Sequence, residues 1–353
     1  MNGEAKVTAR KVISLDAMGG DKAPGMVIGG AALALERSPD LKFLMFGDEA
    51  ALMPLLAEKP ALRAATDLRH TADKIDGETK PSVALRAGRN SSMRLAIDAV
   101  RAGEAGGVVS AGNTGALMAI AKFVLRTLAS IDRPAIASFF PTLRGESVML
   151  DLGANVECGA ENLVQFAVMG EAFARSVLGV QRPTIGLLNV GSEELKGHEE
   201  VRAAASVLRA GRLGGQFHGF VEGNDITEGT TDVVVTDGFT GNIALKTAEG
   251  TARLYGEFLR GAFKSSLSAK FGYLLARHAL AKVRERTDPR RYNGAMFLGL
   301  NGVVVKSHGG TDAIGFANAI GVASDMIANA INDRISREIA ELAALRPAEV
   351  AAP

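Results

Sequence analysis

The sequence has almost no cysteine and no tryptophan. Cys158 is its one cysteine, and three tyrosines and 15 phenylalanines are its only aromatic residues. A single cysteine excludes an intrachain disulfide scaffold and a cysteine-rich zinc site, which fits a reducing compartment. Because large aromatic side chains are scarce, the core volume must come from Ala, Val, Leu, Ile and Met.

Long apolar runs and an excess of charge of one sign are also missing. No window approaches the roughly 18 uninterrupted apolar residues of a membrane-spanning helix. The polar residues 1–11 do not form the apolar stretch of a signal peptide. Forty Lys and Arg against 39 Asp and Glu give a formal net charge of +1. This charge balance disfavours wholesale disorder and a polybasic nucleic-acid binder. Because residues 1–11 do not resemble a signal peptide, we expect a cytoplasmic protein.

The sequence does contain a regular alternation of short β-branched runs and longer Ala- and Leu-rich segments, over 353 residues. The apolar runs predict strands at Lys11–Asp16, Leu41–Phe46, Gly107–Ser110, Ala135–Phe140, Ser147–Asp151, Thr184–Val190, Asp232–Thr236 and Val303–Ser307. Helical spacing and cap residues predict helices at about 24–37, 49–58, 91–103, 114–128, 161–179, 199–210, 240–262 and 311–333. Strand followed by helix, repeated along the chain, predicts an α/β fold with a mostly parallel sheet and helices on both faces.

Charge distinguishes one segment from the rest of the chain. Residues 251–291 contain ten Lys and Arg and three Asp and Glu, a balance of +7 that leaves −6 for the remainder. We expect one large α/β domain over 11–335, with a candidate waist between two subdomains near 140–160. Residues 251–291 are predicted to be a basic amphipathic helical insertion, and 336–353 a flexible tail.

Glycine-rich polar loops follow most of the predicted strands. In open α/β sheets, ligands bind beyond the carboxyl ends of the strands. Loop amides, hydroxyls, carboxamides and lysines suit a small anion such as phosphate, although each loop alone is also an ordinary turn or helix cap. No P-loop lysine motif and no strict G-x-G-x-x-G follows a strand, which disfavours the common nucleotide sites. The six loops are Asp16–Pro24, Ala111–Gly115, Leu152–Asn155, Gly191–Gly197, Asp237–Asn242 and Lys306–Asp312.

Several of these stretches, taken together, are similar to a known family. They read DAMGGD at 16–21, RAGRNSSM at 86–93, SAGNTGALMA at 110–119, DLGAN at 151–155, QFAVMG at 165–170, DGFTGNIALKTAEG at 237–250 and KSHG at 306–309. They resemble the PlsX family, the acyl-carrier-protein:phosphate acyltransferases of bacterial phospholipid synthesis, from about residue 12 to 330. Two places depart from the family pattern: Ser192 stands where an acidic residue is usual, and Gly310–Asp312 is variable.

The resemblance implies a fold like that of the isocitrate and isopropylmalate dehydrogenases and the phosphotransacetylases, and a homodimer. It also implies a reaction in which inorganic phosphate attacks the thioester of a long-chain acyl carrier protein, giving acyl phosphate and a free thiol, with no cofactor and no metal ion. Such a site must neutralise phosphate, donate to the tetrahedral oxyanion and align two reactants. A strong general base is not required, because phosphate is already anionic near neutrality.

The expected site residues follow from this chemistry. We expect phosphate to lie among the lysines and loop amides, with Asn155 or Asn242 donating to the oxyanion. Asp16 and Asp21 are expected to orient lysines or to cap the next helix. The residues in catalytic roles are Lys196, Lys306, Asn155, Asn242 and His308; those in substrate binding are Asp16, Gly19, Gly20, Asp21, Arg86, Ser91, Ser92, Asn113, Thr114, Asp237, Gly309 and Gly310.

Three assignments keep an alternative. His308 either protonates the departing sulfur or packs and bonds to backbone. A second alternative concerns a group of arginines and serines, which either contact phosphate or the carrier's prosthetic arm, or form a helix N-cap with solvated arginines: Arg86, Arg89, Ser91 and Ser92. Cys158 suggests an acyl-enzyme, but no histidine lies near it in the sequence and Glu157 opposes thiolate formation.

The apolar residues of the basic insertion recur at helical spacing among its cations, as in an amphipathic helix at a membrane surface. We expect 263–286 to make peripheral contact with the inner face of the membrane, where a membrane-bound acyltransferase would use the product. The same segment could instead bind the acidic carrier protein or pair with its copy in the dimer.

Other functions stay open at this point. A phosphotransacylase that uses short acyl-CoA would share the chemistry but would not need a basic apolar hairpin. A non-catalytic sensor of phosphate or acyl ligands would be expected to read DNA, yet no helix-turn-helix pattern is present and no nucleic-acid partner is expected. A dehydrogenase of the same fold would need adenosine-binding and metal-binding motifs that the sequence does not show.

Overall fold

The computed structural model describes residues 12–211, 215–286, 288 and 290–344. Within them, eleven strands form one sheet. The strands are β1 Val12–Asp16, β2 Lys42–Gly47, β3 Thr66–His70, β4 Gly107–Ser110, β5 Ala135–Thr142, β6 Gly145–Leu150, β7 Thr184–Leu188, β8 Gln216–Val221, β9 Val233–Val235, β10 Ala295–Leu298 and β11 Val303–Lys306.

The sheet consists of two parallel groups that run in opposite directions. Its order is β3-β2-β1-β4-β11-β10-β5-β6-β9-β7-β8. The strands from β3 to β11 are mutually parallel, and so are those from β6 to β8. Between the groups, β10 is antiparallel to β11 and to β5, and β5 is antiparallel to β6. These three reversals turn the second group over relative to the first.

Helices connect the strands. In the described residues they are α1 Gly25–Arg37, α2 Glu49–Ala57, α3 Pro60–Ala64, α4 Pro81–Ala87, α5 Ser92–Arg101, α6 Thr114–Leu125, α7 Ala160–Phe173, α8 Glu199–Ala210, α9 Gly223–Glu228, α10 Gly238–Lys264, α11 Leu267–Arg286, α12 Ala313–Ala328 and α13 Ile331–Ala344. A π-helical turn, Ala174–Leu178, extends α7.

Alternate residues of the central strands are buried on opposite faces of the sheet. In β2, Phe43 and Met45 belong to a core that includes residues of α1, α7 and α12. Leu44 and Phe46 belong to a second core with residues of α5 and α6. A parallel strand covered on both faces is apolar throughout, which explains the unbroken apolar runs of the sequence. The predicted α/β fold, mostly parallel and with helices on both faces, is confirmed.

Three strands are missing from the sequence prediction: β3, β8 and β10. β3 and β8 are the two edge strands of the sheet. They read TDLRH and QFHGFV, and four of their eleven residues are exposed. An edge strand without a buried apolar run does not give the periodic signal on which the prediction rests.

The described part of the basic insertion is mostly helical: it contains the end of α10 and all of α11, and these two helices form a hairpin. Gly238 and Gly241 are the only buried residues of α10, and α11 has none. The rings of Phe263 and Tyr273 meet edge to face across the hairpin, with centroids 5.4 Å apart. Its exposed large apolar residues include Leu254, Tyr255, Phe258, Leu259, Leu267, Phe271, Leu274, Leu275 and Val283.

The carboxyl-terminal part differs from the prediction. The sequence predicts one helix over 311–333, but the structure has two, separated where Ala330 adopts a φ of 49°. The prediction of a flexible tail is wrong for 336–344, which completes α13. Ile335 and Ile339 lie four residues apart on one helix face and are buried in the core with α7. Residues 345–353 lie outside the described part of the chain.

No single helix in the described part of the chain is long and apolar enough to cross a membrane. α12 and most of α13 pass a test of length and composition only as a pair bent by 53°. Half of the residues of α12 are buried in the core, and this packing accounts for its apolar composition.

Candidate active site

A buried polar cluster lies where β1, β4 and β11 end. Its members, called here the Lys306 cluster, are Asp16, Ser92, Ser110 and Lys306, all at most 7% exposed. Asp16 accepts one hydrogen bond from each serine hydroxyl, both at 2.6 Å. Burial raises the pKa of Asp16, and the two serine hydrogen bonds oppose that rise. The carboxylate thus fixes α5 and β4 to the end of β1.

Lys306 is the last residue of β11 and pairs in register with Ser110 of β4. Its Nζ donates to the carbonyl oxygen of Ala111 at 3.3 Å and to that of Ser307. Burial lowers the pKa of Lys306 to about 8, although Asp16 and Asp21 favour its charged form. This places a positive charge, strongly desolvated, beside two glycine-containing loops.

The loops after β1 and β11 lie against each other. The amide of Asp21 donates to the carbonyl of Gly309 at 2.9 Å, and Nζ of Lys22 donates to the carbonyl of Gly310 at 3.3 Å. Glycine is needed at Gly19, because a Cβ there would lie 2.4 Å from a carboxylate oxygen of Asp16. The structure thus brings together the two loops that carry Gly19, Gly20, Asp21, Gly309 and Gly310, and their role in substrate binding stays a prediction.

His308 is exposed at this edge, and its hydrogen bonding limits the predicted role of the next glycines. Its Nδ1 accepts a hydrogen bond from the amide of Gly310 at 3.1 Å. In the neutral ring the proton is then on Nε2, which faces away from that bond. The Gly310 amide is already used, so of the two predicted amides that of Gly309 is the better candidate for an anion.

The predicted binding residues on α4, α5 and α6 have structural roles in the chain. Asn113 caps α6 by accepting from the amide of Ala116 at 2.8 Å, and its Nδ2 donates to the carbonyl of Gly77. Ser91 caps α5. Arg86 and Thr114 are exposed. Their predicted contact with substrate stays a prediction, since capping accounts for Asn113 and Ser91 without one.

A second cluster lies where β6 and β9 end. Asp151 is fully buried and accepts amide hydrogens from Ile136, Gly153, Ala154 and Asn155. Burial raises its pKa, and these amides oppose the rise. A Cβ on Gly241 would lie 1.9 Å from the carbonyl oxygen of Asp151, so α10 begins in direct contact with this loop.

The two asparagines predicted as oxyanion donors differ here. Both Nδ2 hydrogens of Asn155 are used, one on the carbonyl of Pro134 at 2.8 Å and one on Asp151 at 2.9 Å. This geometry argues against Asn155 as a donor to substrate. Asn242 is exposed and lies beside Gly153, where a Cβ would be 3.6 Å away. Asp237 caps α10 by accepting from the amide of Thr240 at 2.8 Å.

Lys196 lies in the loop after β7. Its side chain is 53% exposed and its Nζ is 3.3 Å from a carboxylate oxygen of Glu193. The carbonyl of Lys196 accepts from Nδ2 of Asn189 at 3.0 Å, which holds the loop closed. No contact with Lys306 or Asp16 is formed by the described residues of this loop.

The six predicted loops therefore lie at two edges of the sheet. Those after β1, β4 and β11 form the first edge, and those after β6, β9 and β7 form the second edge, because the two strand groups run in opposite directions. The six loops all follow strands, as the sequence predicts, but they do not share one carboxyl edge of the sheet. A sequence pattern predicts that a strand is followed by a loop, but not which way the strand points.

Sequence reasoning did not single out two polar residues of the first edge. Ser110 is the last residue of β4, as Asp16 is of β1 and Lys306 of β11, and this shared position is a signal that could have found it. Asn293 is buried and bonds the turn after Lys306. Its signal is weaker, since it follows the basic insertion and precedes a strand that the sequence does not predict.

Two other groups bear on the chemistry. Burial, with the nearby Asp151 and Asp237, raises the pKa of Cys158 to about 11, so the thiol is protonated near neutrality. In the described residues, no group of three or more His, Cys, Asp or Glu side chains is placed to hold a metal ion.

The chain is similar to proteins of known name over almost its whole length. The family model described as "Fatty acid synthesis protein" matches residues 11–334. A phosphate acyltransferase of Rhodospirillum centenum is 68% identical over 347 residues, 98% of each chain. A phosphate acyltransferase of Paramagnetospirillum magneticum is 63% identical, over 98% of this chain and 97% of that protein.

Solved structures with a similar fold are phosphotransacetylases. The EutD phosphotransacetylase of Staphylococcus aureus has a TM-score of 0.58 at 17% identity, over 92% of this chain and 98% of its own. A phosphotransacetylase of Streptococcus pyogenes has a TM-score of 0.60 at 15% identity, over 93% of this chain and 99% of its own. The predicted likeness in fold is confirmed. By sequence, the chain belongs to the phosphate acyltransferase family, the PlsX family, and is an acyltransferase of fatty acid and lipid synthesis.

Proposed function

We propose that this enzyme transfers a long-chain fatty acyl group from acyl carrier protein to inorganic phosphate. A phosphate oxygen attacks the thioester carbonyl carbon, a tetrahedral oxyanion forms, and the carbon–sulfur bond breaks as the carbonyl reforms. The products are acyl phosphate and the carrier thiolate, which takes up a proton. Phosphate is anionic near neutrality and thiolate is a good leaving group, so the site needs charge neutralisation and alignment more than a strong base.

Phosphate binding at the first edge is supported by the buried ammonium of Lys306, the observation on which the proposal chiefly rests. Two of its three hydrogens bond carbonyl oxygens, at Ala111 and Ser307. The third is available to a ligand oxygen. In this water-poor position an anion gains more from the charge than it would at the surface. The amide of Gly309 is the second proposed donor.

His308 is proposed to protonate the departing sulfur. It follows Lys306 by two residues and is exposed. Its Nδ1 is held by the Gly310 amide at 3.1 Å, so Nε2 presents a proton toward solvent and substrate in the neutral ring. A general acid must come within hydrogen-bond distance of the leaving group, and the exposed ring of His308 is accessible to the sulfur of a bound thioester.

The thioester side of the site is proposed at the second edge, with Asn242 and Lys196. Four strand steps separate β11 from β9, and a twist of about 20–25° at each step turns the second edge by roughly a right angle. The two edges then lie at roughly a right angle to each other instead of directly opposite. Asn242 has an exposed amide, unlike Asn155, and is the proposed oxyanion donor.

The hairpin α10–α11 is proposed to bring the cytoplasmic enzyme to the inner face of the membrane. Its apolar side chains are solvent-exposed, and cations such as Lys270 and Arg277 lie among them. Acyl phosphate with a long chain is itself apolar at one end, and a membrane-bound acyltransferase is the proposed consumer. The proposal includes a homodimer, in which hairpins of two copies could shield part of this surface.

A comparison of acyl donors tests the function. The purified enzyme is incubated with labelled phosphate and palmitoyl-acyl carrier protein, palmitoyl-CoA or acetyl-CoA. We expect acyl phosphate to form most rapidly from the carrier-bound donor. A preference for acetyl-CoA would replace the proposal by a short-chain phosphotransacylase, and no acyl phosphate from any donor would overturn the enzymatic proposal.

A further inference from the structure

One buried asparagine is bonded to three residues of the turn after β11. Asn293 is 7% exposed. Its Nδ2 donates to Oγ of Ser307 at 2.8 Å and to Oγ1 of Thr311 at 3.3 Å. Its Oδ1 accepts from the amide of His308 at 2.8 Å. All three bonds go to the turn 307–311, and none of these residues follows Asn293 directly in the sequence.

This turn joins Lys306 to the residues proposed to act with it. The amide that Asn293 accepts belongs to His308, whose ring and Gly309 follow at once. A carboxamide can donate and accept at the same time, which the turn requires. Aspartate would only accept, and would add an unpaired charge at a buried position. Alanine would leave a buried amide and two hydroxyls without their partner.

Close packing against the start of α12 restricts the turn 307–311 when the side chain of Asn293 is present. A Cβ on Gly315 would lie 2.1 Å from Oγ1 of Thr311 and 3.1 Å from Nδ2 of Asn293. The start of α12 is thus packed directly onto the Asn293–Thr311 pair. Packing from α12 and the hydrogen bonds of Asn293 therefore hold one side of the turn, and Asp21 and Lys22 bond its Gly309 and Gly310 carbonyls.

The segment before Asn293 is tied to the same region. Arg290 donates to Oδ2 of Asp312 at 3.1 Å, and Asp312 is the N-cap of α12. The carbonyl of Arg290 accepts from Nδ2 of Asn318 at 2.7 Å. These contacts hold the end of the basic insertion against α12 without touching the turn 307–311, which makes Asn318 a matched comparison for Asn293.

We infer that Asn293 is a positioning residue for phosphate. It touches neither reactant and acts through the turn 307–311, by keeping the His308 ring and the Gly309 amide at a fixed place relative to Nζ of Lys306. The inference rests on the proposed phosphate site at Lys306. It adds to that site a residue that follows the basic insertion in the sequence and precedes β10.

The test separates the Michaelis constants of the two substrates. Asn293→Ala is expected to raise KM for phosphate about tenfold or more and to change KM for the acyl donor less than about twofold, since the acyl donor does not bind the turn. The matched variant Asn318→Ala removes a contact of the same segment and is expected to leave both constants near wild type. Thermal unfolding with and without inorganic phosphate gives a second measurement: phosphate raises the midpoint of wild type and raises that of Asn293→Ala less.

A second variant distinguishes a folding defect from a positioning defect, because it changes the hydroxyl partners of Asn293 and keeps Asn293 itself. Ser307→Ala with Thr311→Val removes the hydroxyls while Asn293 stays, and this variant is expected to raise KM for phosphate as well. Adding Asn293→Ala to it should then produce less than the sum of the two effects, because the same bonds are already lost.

Three outcomes contradict the inference, and they differ in what else they remove. KM for phosphate unchanged in Asn293→Ala but raised in Lys306→Ala overturns the positioning role alone. No change in either variant overturns the proposed phosphate site and the positioning role with it. An equal rise in both Michaelis constants, shared by Asn318→Ala, shows a general structural role and also overturns the inference.

Discussion

At the scale of single residues, the Lys306 cluster combines two opposed ionisable groups at a buried place. Burial raises the pKa of Asp16 and lowers that of Lys306, so desolvation alone favours the neutral forms of both. The serine hydroxyls and the attraction between the two charges act in the other direction. A lysine with a pKa near neutrality makes its ligand binding depend on pH in the working range.

Loss of the Lys306 charge is expected to produce the alkaline limb of the pH profile of kcat/KM for phosphate. The pKa of Lys306 is lowered to about 8, so the ammonium is charged below that pH and lost above it. We expect kcat/KM for phosphate to fall as the pH rises through about 8. Lys306→Ala is expected to lower kcat/KM for phosphate by at least about tenfold and to lose this limb. Steady-state rates from pH 6 to 9.5 measure both. Since phosphate itself titrates equally for both proteins, an unchanged limb in the variant would remove Lys306 from this role.

Lys196 tests whether the second edge takes part in the reaction. Lys196→Ala is expected to raise KM for the acyl donor or to lower kcat by more than about tenfold. Its side chain is 53% exposed and forms an exposed ion pair with Glu193, so we expect the substitution to leave folding unchanged. Glu193→Ala is the matched control, since it removes the ion pair but keeps the lysine. Kinetics like those of wild type in Lys196→Ala would exclude Lys196 from the site.

Cys158 is predicted to be dispensable for turnover. Burial raises its thiol pKa to about 11, and its Sγ lies 3.9 Å from the carbonyl oxygen of Asn155 as a weak donor. Cys158→Ser should retain kcat within about twofold of wild type, because no thiolate is required. Activity lost in a variant with an unchanged circular dichroism spectrum would indicate an acyl-enzyme.

At the scale of elements, α10 shows how one helix serves two environments. Its first turn begins at the N-cap Asp237 and packs Gly238 and Gly241 onto the Asp151 loop. The rest of the helix leaves the body of the protein and joins α11, where large apolar side chains are exposed. Leu267 is 84% exposed and Leu275 is 71% exposed. An exposed apolar surface of this extent indicates a partner, a second copy or a membrane.

The hairpin predicts binding to anionic vesicles. In flotation with vesicles containing phosphatidylglycerol, the wild-type enzyme is expected to rise with the lipid, and Leu274→Glu with Leu275→Glu is expected to stay in the dense fraction. The wild-type leucines would insert into the apolar part of the vesicle surface, and a charge at each position would make that insertion unfavourable. Leu143→Glu is the matched control, since Leu143 is 85% exposed and belongs to the β5–β6 turn and not to the hairpin. Vesicle binding that persists in the double variant would refute the hairpin as the anchor and leave the carrier or dimer contact.

At the scale of the whole molecule, α13 closes the chain onto α7 through a shared guanidinium. Arg175 lies 3.3 Å from Glu171 and 3.4 Å from Glu338 of α13. Burial, with repulsion from Glu171 and Glu341, raises the pKa of Glu338 to about 7, and Arg175 and Arg334 only partly offset this. One oxygen of Glu338 is buried without a hydrogen-bond partner in the described structure. The docking of the last helix therefore weakens when Glu338 ionises.

This cluster predicts a stability that falls with rising pH. The pKa of Glu338 is higher in the folded chain, about 7, than its ordinary 4.5. The folded state therefore binds the Glu338 proton more tightly than the unfolded state does. The loss of stability on ionising Glu338 develops as the pH rises from 4.5 to about 7 and is complete above 7. Glu338→Gln should raise the free energy of unfolding by about 1 kcal/mol at pH 8, after allowance for solvent screening, and by little at pH 5. Urea unfolding at the two pH values measures this. An equal effect at both would show that charge is not the cause.

Much of the fold was predictable because its signals are local. Val303–Lys306 is apolar at every position but the last, and the structure makes it a buried parallel strand. The edge strands β3 and β8 were not predictable in this way, since their side chains meet solvent on one side and show no apolar run. The flexible tail was predicted from composition alone. Composition contains no information on the helix face that Ile335 and Ile339 share, through which the last helix is buried in the core.

The sequence by itself determined most of the helices and strands, the glycine loops after the strands, the basic helical insertion and, through its motifs, the family. Those features depend on periods of two and 3.6 residues and on short ordered motifs, which lie within a few residues of one another. The tertiary structure alone decided that β10 and β5 reverse the sheet, that Asn155 is bonded to Asp151, and that Asn293 reaches the turn after Lys306. These follow from which faces and edges pack together across long separations in the chain, and no local period encodes a strand's direction or its neighbours.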